Sequence, residues 1–247
     1  MENAIPIGLS RQIVLSRALD VTANNLANQN TTGFRSEQTR FAEYLVASAG
    51  QSANPNPAQS VSLVQDSDSV TDFSQGALVQ THGALDFAIQ GDGFFGVETP
   101  DGPEYTRDGH FGISNFGELI TRDGLPVLDE GSAPILIDIQ LGPVQVSKDG
   151  TVQQDGAIIG RIGVFEFDAP QSLQRVGNNR FSSAELPNAA ATPAIEQGFV
   201  EGSNVNALRG ITDLISISRA YTQAAELIET ANDLSRDAIR RFTETQV

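Results

Sequence analysis

Apolar residues recur at helical spacing near both ends of the chain. Those near the start lie three, four or seven positions apart: Ile7, Val14, Leu15, Ala18, Leu19, Val21 and Leu26. They predict a helix over about residues 3 to 29, which the polar segment NQNTTGFR then ends in a turn. Near the other end, Leu214, Tyr221 and Ile228 lie seven apart, with Ile211 and Ala225 interleaved. They predict a second helix over about residues 205 to 243.

Both predicted helices carry narrow apolar stripes, as in the seam of a coiled coil. We expect Ser203 or Asn204 to cap the second helix by accepting hydrogen bonds from its free amides. An isolated helix pair of this kind leaves part of its apolar surface in water. The stripes are buried either by pairing with each other in a monomer or by packing against neighbouring copies, and the pattern leaves both possibilities open.

Between about residues 61 and 181 the apolar period changes from helical to two. Asp-Gly pairs between short alternating runs are a strong hairpin signal. Six occur here, at Asp92, Asp101, Asp108, Asp123, Asp149 and Asp155. We therefore predict an α+β fold in which coiled-coil-like terminal helices, forming one discontinuous helical domain, flank a mainly antiparallel all-β middle domain.

Composition places the domain boundaries. Residues 1–35 together with 200–247 form the predicted helical domain, and residues 76–182 form the β-rich middle domain. Residues 36–75 are expected to be an extended linker region, because residues 47–60 are small, polar and proline-containing. A short helix is expected near its start, with Phe41 and Leu45 on one face. The Ala- and Pro-rich residues 183–199 form the second linker.

Charge and composition exclude several classes of function. The net charge of -16 repels phosphate backbones and anionic lipids, so nucleic-acid and membrane-surface binding are disfavoured. The chain has no cysteine, and its two histidines, His82 and His110, have no metal-ligand spacing. Arg11, Arg17 and Asp20 interrupt any apolar signal-peptide core, so no cleaved signal is expected. We expect no metal site and no cofactor.

Gly91, Gly93 and Gly96 form the G-x-G-x-x-G spacing of dinucleotide-binding loops. The context contradicts that function. Residues 85–90 alternate between apolar and polar or small, as in a half-exposed strand, and no helix pattern follows the glycines. We therefore expect Gly91 and Gly93 to make a turn between two strands and Gly96 to be a strand position. No other catalytic motif is present, so no catalytic residue is proposed and the chain is expected not to be an enzyme.

Three separated blocks resemble the axial proteins of the bacterial flagellum, the family of rod, hook and hook-associated subunits. ANNLANQNTTGFR, residues 23–35, is similar to the family's N-terminal signature, with Arg35 where lysine is common. Residues 85–128 resemble its central β block, and GFVEGSNVNALRGITDLISISRAYTQAAELI, residues 198–228, its C-terminal signature. The length and the opening residues favour the proximal-rod subfamily. The alternatives are the distal-rod subfamily and, from another class, a monomeric β-domain binding module with a private helical hairpin.

The resemblance implies a structural subunit of the flagellar basal-body rod within the periplasm, exported from the cytoplasm by the flagellar export apparatus without signal cleavage. Its helical domain would polymerise with copies of itself and other rod subunits into a tubular shaft that transmits torque and surrounds the export channel. No nucleic acid or small-molecule substrate is implied. The N-terminal assembly motif comprises Ala23, Asn24, Asn25, Leu26, Ala27, Asn28, Thr31, Thr32, Gly33, Phe34 and Arg35. The C-terminal assembly seam comprises Ser203, Asn204, Val205, Asn206, Ile211, Leu214, Tyr221, Ala225 and Ile228.

Overall fold

The computed structural model describes residues 4–47 and 60–244, which form two compact units. Among these residues, the helical unit contains 4–27, 37–47, 60–70 and 206–244, and the β unit contains 28–36 and 71–205. This division differs from the expected boundaries at both termini and in the first linker. Residues 28–35 and 200–205 group with the β unit, and residues 37–47 and 60–70 group with the helices.

Two helices form most of the helical unit: α1 is Ala4–Ala27 and α2 is Ala207–Glu244. They run antiparallel, because Gly8 lies against Ile228 and Gly210 lies near Leu26. One face of α2 is buried or half-buried at alternating intervals of four and three, the repeat of a coiled-coil seam. This face consists of Gly210, Leu214, Ile217, Tyr221, Ala224 and Ile228. The apolar stripe of α2 thus packs within its own chain.

The cap of α2 is Asn206, whose side-chain oxygen accepts from the Arg209 amide at 3.0 Å. The expectation that Ser203 or Asn204 caps this helix is wrong. An N-cap oxygen must reach an amide two or three residues ahead, and the helix begins too late for either residue to do so. Ser203 instead accepts from the Val205 amide at 3.2 Å.

A two-stranded sheet of β1, Glu37–Ala47, and β2, Ser60–Thr71, completes the helical unit. The short helix expected near Phe41 and Leu45 is therefore wrong. The Asn25 side chain bonds both backbone groups of Glu37, donating to its carbonyl at 2.7 Å and accepting from its amide at 2.9 Å. Pairing with the next strand, β2, and this side-chain clamp outweigh local propensity. Positions 48–59, in the expected linker, lie outside the described residues.

The β unit contains fifteen strands among its described residues, and all their pairings are antiparallel, in agreement with the predicted α+β fold. They are β3 Leu78–Gln80, β4 Phe87–Ile89, β5 Phe94–Thr99, β6 Gly102–Thr106, β7 Phe111–Ile113, β8 Leu119–Thr121, β9 Val144–Val146, β10 Thr151–Gln154, β11 Ala157–Arg161, β12 Val164–Glu166, β13 Gln174–Gly177, β14 Arg180–Ser182, β15 Asn188–Ala189, β16 Ile195–Gln197 and β17 Phe199–Glu201.

Sheet order shows how the ends of this unit are closed. The largest sheet runs β13-β14-β6-β5-β12-β15, and a smaller one runs β11-β10-β9. The late strands β16 and β17 pair with the early strands β4 and β3. The residues just before α2 therefore complete the sheets that the residues near position 80 begin.

Two apolar clusters form the core of the β unit, and strand β5 contributes residues to both. Phe95 packs with Phe111 in the first cluster, whereas its neighbour Phe94 packs with Phe181 in the second. Successive side chains of a strand point to opposite faces, so one short strand can join two cores.

Gly91 and Gly93 have φ angles of +97° and +108° in the turn between β4 and β5, and Gly96 lies inside β5. These glycines thus occupy the expected positions, and a strand follows them where a dinucleotide site needs a helix. The strand before them is not half-exposed as expected, because Asp86 and Ala88 are buried as well as Phe87 and Ile89. Asp86 has an internal partner that periodicity cannot show: its carboxylate lies 2.6 Å from Nδ1 of His110.

Within the described ranges, no group of three or more histidine, aspartate or glutamate side chains is placed to hold a metal ion. In the same part of the chain, neither helix is long and apolar enough to cross a bilayer.

A methyl group at Gly96 has no room. A Cβ there would lie 2.5 Å from the Phe165 ring, which is buried in the second cluster. We expect Gly96→Ala to lower the free energy of unfolding by about 1–3 kcal/mol through overpacking. Gly112→Ala, in β7, is the matched control, since a Cβ there meets no atom within 4 Å. Urea unfolding of both variants checks this, and equal stabilities would contradict the close contact.

Candidate assembly site

The N-terminal signature loop, residues 28–36, docks onto the β unit through its backbone. Gly33 takes a φ of +67°, and its amide donates to the Glu201 carbonyl at 2.8 Å. A Cβ at this glycine would lie 2.4 Å from the Asp108 amide nitrogen, so the close approach requires glycine. The hydroxyl of Thr32 donates to the Asp108 carboxylate at 2.8 Å, and Asn179 donates to the Thr32 carbonyl at 3.0 Å.

A buried ion cluster lies beneath this loop. Arg35 contacts one carboxylate oxygen of Glu201 at 2.7 Å, and Arg107 contacts the other at 3.1 Å. The Glu201 oxygen facing Arg35 also accepts from the Gly76 amide at 2.7 Å. Arg107 donates in addition to the Gly91 carbonyl at 2.7 Å. The side chains of Arg35 and Glu201 are fully buried, so the loop is held by charges withdrawn from water.

Glu201 is the central charge of the cluster. Burial lowers the pKa of the Arg107 guanidinium from its ordinary value, Glu201 opposes that decrease, and Arg35 adds to it. Two buried cations thus share one carboxylate. None of the three Arg35 guanidinium nitrogens makes a hydrogen bond within the residues that the structure describes, so Glu201 balances this buried cation through charge alone. The arrangement favours a permanent structural contact.

Arg175 also contacts the signature loop. Its guanidinium lies 4.9 Å from the ring centre of Phe34 and 5.4 Å from that of Phe181, and it donates to the Arg35 carbonyl. Phe34 is buried. Cation–π stacking and a hydrogen bond to the loop backbone therefore act on the same short segment.

Asn204 connects the loop to two other parts of the β unit. Its side-chain oxygen accepts from the Ser36 amide at 2.7 Å, and its nitrogen donates to the carbonyls of Asp72 at 2.8 Å and Ser74 at 3.2 Å. The Asp72 amide donates to the Ser36 carbonyl at 2.8 Å. Segments that are distant in sequence are joined here around one side chain.

The N-terminal assembly motif divides between the two units. Ala23, Asn24, Asn25, Leu26 and Ala27 form the end of α1, whereas Asn28, Thr31, Thr32, Gly33, Phe34 and Arg35 belong to the β unit. The Asn28 carbonyl accepts from the Thr31 amide at 3.1 Å and so begins the turn that follows the helix. The motif therefore combines a helix end with a docking loop.

The C-terminal assembly seam divides in the same way. Ser203, Asn204 and Val205 belong to the β unit, and Asn206 caps α2. Leu214, Tyr221 and Ile228 lie on the face of α2 that packs within the chain, and Ala225 is half-buried beside them. Ile211 is exposed and lies on a different face.

A second set of apolar side chains on the helices is exposed, and the sequence pattern did not single it out apart from Ile211. On α1, Leu9 is 51% exposed and Ile13 is 59% exposed; both line a groove of about 710 Å³ that Tyr221 also borders. On α2, Leu208, Ile211 and Ile215 are 78%, 46% and 46% exposed. We call these five residues, which form a separate patch on each helix, the outer apolar face. In the sequence, these residues are visible only as isoleucines and leucines that lie outside the heptad positions of the two helices.

Arg107 and Glu201 were also missed by sequence reasoning. Each lies next to a glycine-containing turn, where a charged side chain is ordinarily exposed. Only the approach of Arg35, Arg107 and Glu201 in space identifies them as one cluster.

We expect Glu201→Gln to lower the free energy of unfolding by about 3–5 kcal/mol, because it leaves two buried arginines without a counter-ion. Glu196→Gln is the matched control. Its carboxylate pairs at 3.0 Å with Lys148, which is largely exposed, and the loss should stay below about 1 kcal/mol. Denaturant titration gives both values, and a Glu201→Gln variant as stable as the control would show that the cluster is not needed.

Three family models match the chain in the order of its parts. The flagella basal body rod protein model matches residues 5–35, the flagellar hook protein FlgE/F/G D1 domain matches 88–154, and the flagellar basal body rod FlgEFG protein C-terminal model matches 196–241. Arg35, Arg107 and Glu201 each fall in a different one of these segments. The ion cluster therefore joins all three.

Full-length relatives agree with the models. The chain is 41% identical to the flagellar basal-body rod protein FlgF of Caulobacter vibrioides, over 98% of both chains. It is 38% identical to FlgF of Mesorhizobium japonicum, over 97% of this chain and 98% of that protein. Identity to the rod protein FlgG of Bacillus subtilis is lower, 30% over 94% of this chain and 96% of that one. The chain belongs to the FlgE/F/G family of flagellar basal-body rod and hook proteins, and within it resembles FlgF more than FlgG.

Proposed function

We propose that this protein is a structural, non-enzymatic subunit of the flagellar basal-body rod, of the proximal FlgF type. It assembles with copies of itself and with other rod subunits in the periplasm, after export from the cytoplasm by the flagellar export apparatus without signal cleavage. It needs no nucleic acid, cofactor or small-molecule substrate. The higher identity to FlgF than to FlgG proteins supports the proximal assignment.

The outer apolar face is the observation that carries the assembly role. The coiled-coil seam between α1 and α2 is already used inside the chain, yet large apolar side chains remain exposed on both helices. Leu208, Ile211 and Ile215 are spaced three and four apart and so share one side of α2, as Leu9 and Ile13 share one side of α1. Burying such side chains contributes roughly 25 cal/mol per Å² of apolar surface. Helices of neighbouring subunits are the occupants that suit exposed apolar patches on helices.

A second candidate is a monomeric β-domain binding module with a private helical hairpin. The packing of α2 on α1 within one chain favours it to the extent that neither helix lacks a partner. The outer apolar face favours polymerisation, since a permanent monomer gains nothing by exposing it. Helicity and particle mass that rise with protein concentration support the rod subunit, and concentration-independent values support the hairpin module.

Charges introduced into the outer apolar face test the proposal. We expect Ile13→Glu or Ile215→Glu to leave the folded chain intact, because both positions are exposed, and to abolish incorporation into the rod. Ile158→Glu is the control, an exposed isoleucine in β11 of the β unit. Each variant replaces the native protein in its bacterium, and motility and the protein content of purified basal bodies are measured. Normal incorporation of both helix variants would contradict this assembly surface.

A further inference from the structure

The chain passes between its two units at four places: after Ala27, Ser36, Val70 and Val205. Three residues of the β unit stand next to the last three of these crossings. Ser36 precedes β1, Asp72 follows β2, and Asn204 lies just before the cap of α2. Force carried along the chain through these three crossings enters the β unit beside these residues.

Hydrogen bonds join these three residues into a closed ring. Asn204 accepts from the Ser36 amide and donates to the Asp72 carbonyl, and the Asp72 amide donates to the Ser36 carbonyl. The Asn204 amide donates to the Phe34 carbonyl at 3.3 Å, which adds the docked loop. We call this ring the crossing knot.

Only a side-chain amide suits the centre of the crossing knot. It must accept from one backbone amide and donate to two carbonyls at once, and a carboxylate cannot donate. Gln154 does the same elsewhere in the β unit, where it accepts from the Asp138 amide and donates to the Asp138 and Gly142 carbonyls. No crossing lies near Gln154. The side chains of Asn204 and Gln154 therefore make the same number of hydrogen bonds to backbone groups, but only Asn204 lies beside a crossing.

We propose that Asn204 is a positioning residue that makes three of the chain crossings act as one joint, so that torque entering the β unit is shared among them. This proposal rests on the rod function proposed above. Hydrogen bonds that are loaded together resist more force than bonds loaded one after another. Without Asn204, the segments at Ser36, Asp72 and Val205 would be loaded separately.

Amide hydrogen exchange of the full chain tests the joint directly. Asn204→Ala should speed exchange at the Asp72 amide by about tenfold or more, although the acceptor of that amide, the Ser36 carbonyl, is untouched. Gln154→Ala should leave Asp72 unchanged. Asn204→Asp keeps the oxygen that accepts from the Ser36 amide but loses both donated hydrogen bonds. It should therefore also speed hydrogen exchange at the Asp72 amide. Faster exchange at Ser36 alone would overturn the proposal.

Swimming in viscous media is the second measurement, because a residue that only stabilises the fold would not change rotation under load. Bacteria carrying Asn204→Ala or Gln154→Ala as their sole copy are compared for flagellar number and for swimming in media of rising viscosity. We expect both to build flagella, and only Asn204→Ala to lose rotation at high viscosity. Equal behaviour of the two variants under load would refute the joint and leave the rod function standing. The rod function itself fails if deleting the whole chain leaves flagella and motility intact.

If bacteria carrying Asn204→Ala build no flagella, swimming at high viscosity is compared in bacteria carrying Asn204→Asp instead. The hydrogen-exchange result then decides the proposal. Faster hydrogen exchange at the Asp72 amide in Asn204→Asp supports the joint. An unchanged Asp72 amide overturns it.

Discussion

One buried carboxylate holds together parts of the β unit that are far apart in sequence. Glu201 comes from the last strand, Arg35 from the loop that follows the first helix, and Arg107 from the middle of the unit. Such a cluster stabilises only when all of its members are present, because a buried charge without its partner costs more than the pair contributes. The β unit is therefore complete only when both ends of the chain have reached it.

The other buried acids of the described residues are also committed to internal partners. Asp86 lies against His110, and Glu104 accepts from Arg180 at 2.7 Å. A carboxylate whose oxygens are held by internal partners is poorly placed to bind or transform a substrate. The buried acids of the described residues thus hold neighbouring segments of the β unit together, which suits a structural component.

Patterns that depend on near neighbours predicted the fold well. Heptad spacing in α2 gave the helix, and Asp101, Asp149 and Asp155 lie in hairpins between paired neighbouring strands, because each signal depends on residues a few positions apart. Asp92 and Asp108 lie in turns between strands that do not pair with each other. The strand β1 was missed, because the clamp from Asn25 on Glu37 is invisible in the sequence. Most of β2 lies where the period of two was recognised, but it was assigned to the linker. The ion cluster was missed because its members are far apart in sequence. Heptad spacing also found the apolar seam but could not say which chain covers it, and the exposed residues that we propose for assembly, such as Ile13, lie off that seam.

The two helices that form the pair differ in length by 14 residues, 38 against 24. Gly210, near the start of α2, lies by Leu26, near the end of α1, so the surplus projects at the far end, past Ala4. About 12 residues of α2 lie beyond the level of Ala4, where the described part of α1 begins, and at 1.5 Å per residue they extend about 18 Å. This end of α2 is therefore a stretch of helix that the described part of α1 does not cover.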